Sequence, residues 1–141
     1  MNEALYDSIV LDRARHPRHA GRPAAFDAMG AGENRMCGDQ VSIFRVGSTY
    51  RHEAVGCAIL AASAELMCDA ATGKNAGEIA ILAKSFEQLV KTGQASPELG
   101  DLNALAGIAQ YPSRLRCATL PWSALKASLA GDPGAGDRDH D

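Results

Sequence analysis

The chain has 141 residues, a length that suits a single domain. Fourteen basic residues against 17 acidic ones leave a formal charge of −3, without the basic surplus of a dedicated nucleic-acid binder. Hydrophobic residues at 46% and charged residues at 22% exclude a disordered chain, and the longest apolar run, 54–62, is about half a membrane span.

Neither a signal peptide nor a transmembrane helix is legible, so the expected location is the cytoplasm. Asn2 can cap a first helix that carries Leu5 and Ile9 on its apolar side and stops at Pro17. The segment HPRHAGRP, 16–23, reads as a basic turn. Alternation then predicts a short strand over 26–31, a strand over 41–46, a turn at Gly47-Ser48 and a hairpin partner over 49–55. After Cys57 the pattern becomes helical: an alanine-rich helix over 58–71 ending at Gly73, then a capping box of Asn75 and Glu78 that opens a helix closed by Gly93. A short helix follows over 102–109, and 112–130 is helical with Pro121 expected to interrupt it. The outline is an α+β fold, a small antiparallel sheet packed against a helical layer. Residues 1–130 are expected to form one domain and 131–141 a disordered acidic tail.

Four cysteines in a reducing compartment point to buried thiols, metal ligands or redox chemistry rather than to disulfides. Cys37 lies in MCGD, where an extended backbone would turn Cys37 and Asp39 to the same side, with Gly38 leaving room between them. Cys57 lies where a strand ends and a helix begins, and helix N-terminal N–H groups favour a thiolate. Cys117 follows Arg114 and Arg116, which would favour its thiolate too. Cys57 stands 20 residues after Cys37 and Cys117 stands 60 after Cys57, neither of them a zinc-finger spacing. Packing, a structural zinc site and a reactive site all stay open on this ground. Cys68 sits 11 residues along the helix from Cys57, about 16 Å away, and reads as core packing. His16, His19, His52 and His140 have no evident ligand partner nearby in sequence.

Four co-linear segments resemble the IscU/NifU/SufU family of iron–sulfur cluster assembly proteins. LYDSIVLDRARHPRHAG resembles its N-terminal helix and PRN turn, and MCGDQVSIF its CGD loop and strand. VGCAILAASAELMCDAATGK resembles its GCxIxxASxSxM helix, and YPSRLRCATLPWSAL its last cysteine segment. The 60-residue gap, Arg116 where the IscU branch has histidine, and YPSRL in place of LPPVK resemble the SufU branch. The resemblance implies a site of Cys37, Asp39, Cys57 and Cys117 that binds Zn²⁺, or alternatively iron or a [2Fe–2S] cluster. It implies a sulfurtransferase-like protein in which Cys37 takes persulfide sulfur from a cysteine desulfurase and passes it to a downstream scaffold or acceptor. The alternative it carries is a scaffold on which a [2Fe–2S] cluster is built. Arg114 and Arg18 match partner-binding positions of the family, and neither nucleic acid nor membrane is expected as a partner. Pro121, His16, His19 and the extra thiol of Cys68 depart from the family pattern.

Overall fold

The structure is a computed structural model that describes residues 8–130. The Asn2 cap, Leu5, His140 and the 131–141 tail lie outside the described residues. Helix α1 (Ser8–Arg15) leads through the HPRH turn to three strands: β1 (Ala28–Asn34), β2 (Asp39–Val46) and β3 (Thr49–Val55). They form an antiparallel sheet in the order β1-β2-β3, with Ile43 of β2 opposite Gly30 on one side and His52 on the other. Helices α2 (Ala58–Ala71) and α3 (Ala76–Thr92) follow. A 3₁₀ segment (Pro97–Gln110) and a short 3₁₀ turn (Pro112–Arg114) then lead to α4 (Leu115–Leu129). The α+β expectation is met, with four α-helices against one small sheet among the described residues.

Local chemistry accounts for most boundaries. The Asn75 side chain accepts from the Glu78 amide at 2.8 Å and the Glu78 carboxylate accepts from the Asn75 amide at 2.9 Å, so α3 opens on the expected capping box. Gly93 closes it in the left-handed region at φ 81°. The helix expected over 102–109 is instead a longer 3₁₀ segment bent at Gly100, whose φ of 53° no helix accommodates.

Two expectations fail for packing reasons. Strand β1 starts later than the expected 26–31 and runs on through Gly32 to Asn34 rather than ending at residue 31. A Cβ at Gly30 would overlap the Ala124 carbonyl, and one at Gly32 would sit 3.0 Å from Leu120 Cδ1. The glycines let α4 lie directly on β1, a close backbone approach and not a strand end. Pro121, expected to interrupt the last helix, lies inside a continuous α4. It removes one donor to the Cys117 carbonyl, but Leu120, Pro121 and Trp122 are all buried, so tertiary packing holds the helix across it.

Helix α2 is the centre of the molecule. Ile59, Leu60, Leu66 and Met67 are fully or almost fully buried, meeting Phe86 and Leu89 of α3, Leu102 and Ile108 of the 3₁₀ segment, and Leu125 of α4 in one core. Phe86 stacks on Trp122 with centroids 4.9 Å apart. The Ser63 hydroxyl of α2 donates to the Ala118 carbonyl of α4 at 2.6 Å. That bond fixes the two cysteine-bearing helices against each other beside Cys117.

Candidate metal centre

Three chain turns converge at one end of the sheet. The β1–β2 hairpin closes with Asn34 opposite Asp39, and residues 35–38 form the turn. Gly38, at φ 79°, donates its N–H to the Asn34 carbonyl at 2.8 Å, and the Asn34 side chain accepts from the Met36 amide at 3.1 Å. Cys37 is therefore exposed on a tight turn and not on an extended strand, as its spacing from Asp39 suggested. Asp39 opens β2 with its side chain turned inward, and the residue is only 3% exposed. At the end of β3, Gly56 leads into Cys57, the N-cap of α2 with an extended backbone (φ −80°, ψ 169°). A Cβ on Gly56 would overlap Asp39 Oδ1, so this glycine keeps open the space that the carboxylate occupies. Cys117 is buried in the first turn of α4.

The Cys37 and Cys117 sulfurs and a carboxylate oxygen of Asp39 all lie within 4.8 Å of one another. Donors around a tetrahedral zinc stand roughly 3.3–3.8 Å apart, so closing this group onto an ion requires shifts of at most about 1 Å. Cys57 does not belong to that mutually close group; it adjoins the site through Cys117, whose thiol it faces. Asp39 Oδ2 is buried and accepts no hydrogen bond from the described residues. A buried carboxylate oxygen without a donor is costly unless a cation balances it, which is the condition a metal would satisfy. Burial pushes the Cys117 thiol up, and its contacts with Asp39 and Cys57 push it further. The direction is opposite to the one expected from Arg114 and Arg116, because burial, Asp39 and Cys57 set it. The donor set, two to three thiols and one carboxylate, suits Zn²⁺ and also suits iron.

The remaining sequence candidates sit elsewhere. Cys68 is fully buried in the core, where burial and the nearby Glu65 charge push its thiol up, and it takes no part in the group. Arg114 ends the short 3₁₀ turn three residues before Cys117, and Arg18 is exposed on the HPRH turn. Met36, beside Cys37, and Val55, two residues before Cys57, are large apolar side chains left in solvent.

Sequence reasoning missed Glu65, a fully buried carboxylate in the middle of α2. It faces His52 Nε2 at 3.0 Å and accepts the backbone N–H groups of Arg18 and His19 at 2.8 and 2.9 Å. Burial pushes its pKa up, but the His52 bond, the two amides and the His19 charge outweigh that and hold it down to about 2. Ionised, Glu65 only accepts, so His52 Nε2 carries the proton. The signal was a lone acid inside the apolar run LAASAELM.

The family model for the NifU-like N-terminal domain matches residues 5–118. The iron–sulfur cluster assembly scaffold protein IscU of Streptococcus pyogenes serotype M1 is 36% identical over 133 residues, 89% of this chain and 82% of that protein. The zinc-dependent sulfurtransferase SufU of Bacillus subtilis (strain 168) is 31% identical over 140 residues, 94% of each. The crystal structure of a candidate iron–sulfur cluster assembly scaffold for the SUF system from Fervidobacterium islandicum AW-1 superposes with a TM-score of 0.81 at 25% identity, covering 92% of this chain and 99% of that one. No described helix is long and apolar enough to cross a membrane.

Proposed function

The chain belongs to the NifU-like N-terminal domain family of iron–sulfur cluster assembly scaffolds, and from that premise we propose that it works as a zinc-dependent sulfur acceptor for a cysteine desulfurase. The observation that carries the reading is the orphaned, buried Asp39 Oδ2 in a group with Cys37 and Cys117, a carboxylate in want of a cation. In this reading Cys37, Asp39, Cys57 and Cys117 hold the ion. When bound, Zn²⁺ would keep the thiols deprotonated and shielded from oxidation.

Cys37 is the sulfur carrier in this reading. It is exposed on a four-residue turn between two strands, whereas Cys57 caps a helix and Cys117 is buried within one. Its thiolate attacks the terminal sulfur of the desulfurase persulfide. The new S–S bond forms at Cys37 as the old one breaks, and the desulfurase cysteine leaves as a thiolate. Charge and sulfur are conserved and no external oxidant is needed. Arg114 and Arg18 are read as groups that dock the desulfurase, and a downstream scaffold or acceptor then takes the sulfur.

A second reading is supported by the IscU relative: the same donors would hold a [2Fe–2S] cluster under assembly, the cluster being cargo. Metal analysis of the purified protein, with desulfurase stimulation and persulfide mapping by alkylation and mass spectrometry, separates the two. The expected result is about one zinc per chain and a persulfide on Cys37. No persulfide on any cysteine, together with a reconstituted iron–sulfur chromophore, would move the function to scaffold. Labelling confined to Cys117 would replace the carrier but keep the sulfur transfer.

A further inference from the structure

The HPRH turn is held by far more than a loop requires, and apart from the His19 ring, 3.3 Å from Asp69 Oδ1, the restraint acts on its backbone. The Arg18 and His19 amides donate to Glu65 Oε2 and Oε1 at 2.8 and 2.9 Å. The His19 carbonyl accepts from the His52 amide at 2.9 Å, and the Gly21 amide donates to the His52 carbonyl at 2.8 Å, a short parallel bridge onto the edge of β3. Arg51 donates to the Ala20 and Gly21 carbonyls at 2.6 and 3.0 Å. His52 in turn donates from Nε2 to Glu65 Oε1 at 3.0 Å. Arg13, almost wholly buried, lies 3.9 Å from Glu65 Oε2, 3.8 Å from Asp69 Oδ2 and 3.2 Å from Asp101 Oδ2, so three carboxylates share its charge. Meanwhile the Arg18 residue itself is exposed. Backbone fixed, side chain presented: that is the arrangement of a preorganised contact residue.

We propose that Glu65 is a positioning residue for partner docking, clamping the Arg18–His19 backbone so that the Arg18 guanidinium is offered to an acidic group on the desulfurase surface. The role rests on the sulfur-acceptor reading above. A carboxylate suits the task because three N–H donors converge on its two oxygens. A carboxamide has one oxygen, so in either orientation its NH₂ faces a donor and at least one of the three bonds is lost. With the clamp loosened, docking would have to order the turn as well as bind it.

The test compares Glu65→Gln, Arg18→Ala and the double variant in full-length, zinc-loaded protein. Desulfurase stimulation is titrated so that half-saturating concentration and maximal rate are read separately. Glu65→Gln is expected to speed amide exchange at Arg18 or His19 by at least roughly tenfold, from the loss of a charge-assisted bond. It should raise the half-saturating concentration by a comparable factor, leaving the maximal rate and zinc content unchanged. Arg18→Ala should raise the same concentration, and the double variant should be no worse than the worse single one. Additive effects in the double variant would make Glu65 a general fold residue and overturn the proposal. A Glu65→Gln effect on maximal rate alone, or a silent Arg18→Ala, would also overturn it. If Glu65→Gln fails to fold, Arg51→Gln, which leaves Glu65 intact but frees two carbonyls of the same turn, must reproduce the rise, and its silence would count against the clamp. Failure of wild-type protein to stimulate the desulfurase at all would instead remove the sulfur-acceptor reading on which the role depends.

Discussion

Asp39 and Glu65 are both carboxylates that the fold has taken out of water, at 3% and 0% exposure, and their surroundings are opposite. Glu65 receives two backbone amides and the His52 ring, with Arg13 alongside, and its pKa falls to about 2 in spite of burial. Asp39 has Oδ2 buried with no donor, a glycine at 56 whose missing side chain makes its space, and two cysteine sulfurs for company. Withdrawing a carboxylate from water costs several kcal/mol; at Glu65 donors reach both oxygens, whereas Asp39 Oδ2 has none among the described residues. In the sulfur-acceptor reading, Glu65 is satisfied within the fold, and Asp39 Oδ2 is left for a cation.

The largest effect that would break this comparison is at the sulfurs. Cys57→Ala and Cys117→Ala should each weaken zinc binding by more than the ~100-fold typical of losing a mere outer-shell partner, read by competition with a chromophoric chelator. Cys68→Ala, in the core beside the other carboxylate, should leave the stoichiometry unchanged. Full zinc occupancy in Cys57→Ala would remove Cys57 from the donor set.

Next comes the acid side of Glu65. Its folded pKa of about 2 lies below the ordinary 4.5, so the stabilisation is fully present above pH 4.5 and is lost as pH falls towards 2. The shift corresponds to about 3 kcal/mol. Glu65→Gln, which cannot ionise, should be less stable than wild type by about that amount at pH 7 in urea melts. The gap should narrow between pH 4.5 and 2. A gap that stays constant down to pH 2 would mean that the carboxylate's charge contributes nothing.

How far each carboxylate could be read in the sequence differs for a physical reason. Asp39 sits in a contiguous motif, MCGD, and one of its partners in space, Cys37, is also its neighbour in sequence, although Cys117 is not. Glu65 depends on residues 46, 47 and 13 positions away, and nothing local to α2 names Arg18, His19 or His52 as its partners. The same divide runs through the fold. The capping box of α3 and the 47–48 turn are local and were legible, whereas β1 running through Gly30 and Gly32 is dictated by α4, some 90 residues later in the chain. Pro121 misled because local propensity yields to a buried helix face. The thiol of Cys117 misled for a related reason: its flanking arginines are visible in sequence, but its burial and the approach of Asp39 and Cys57 are not.

A smaller effect probes the space around Asp39. Gly56→Ala places a methyl on Asp39 Oδ1, and overpacking of this kind costs about 1–3 kcal/mol. Because the carboxylate must move, zinc affinity should fall together with thermal stability. Loss of stability with unchanged affinity would show that Asp39 is not a donor.

The smallest expected effect is also the sharpest, because its sign is unusual. Asp39→Asn keeps the shape of the side chain but replaces a buried carboxylate, whose Oδ2 has no hydrogen-bond donor among the described residues, with a neutral amide. In zinc-free protein, prepared with a chelator, the variant should be as stable as wild type or more stable by about 1 kcal/mol at pH 7, since a neutral amide costs less to bury than a carboxylate with one oxygen left without a donor. Added zinc should reverse the order, because wild type gains the binding free energy that the amide forfeits. The matching change at the other carboxylate, Glu65→Gln, should be destabilising with zinc and without it. Urea melts of the four combinations read the crossing directly. Parallel behaviour of the two variants, both destabilised by the same amount with and without zinc, would mean that Asp39 is as fully satisfied by the protein as Glu65 and has no cation to hold.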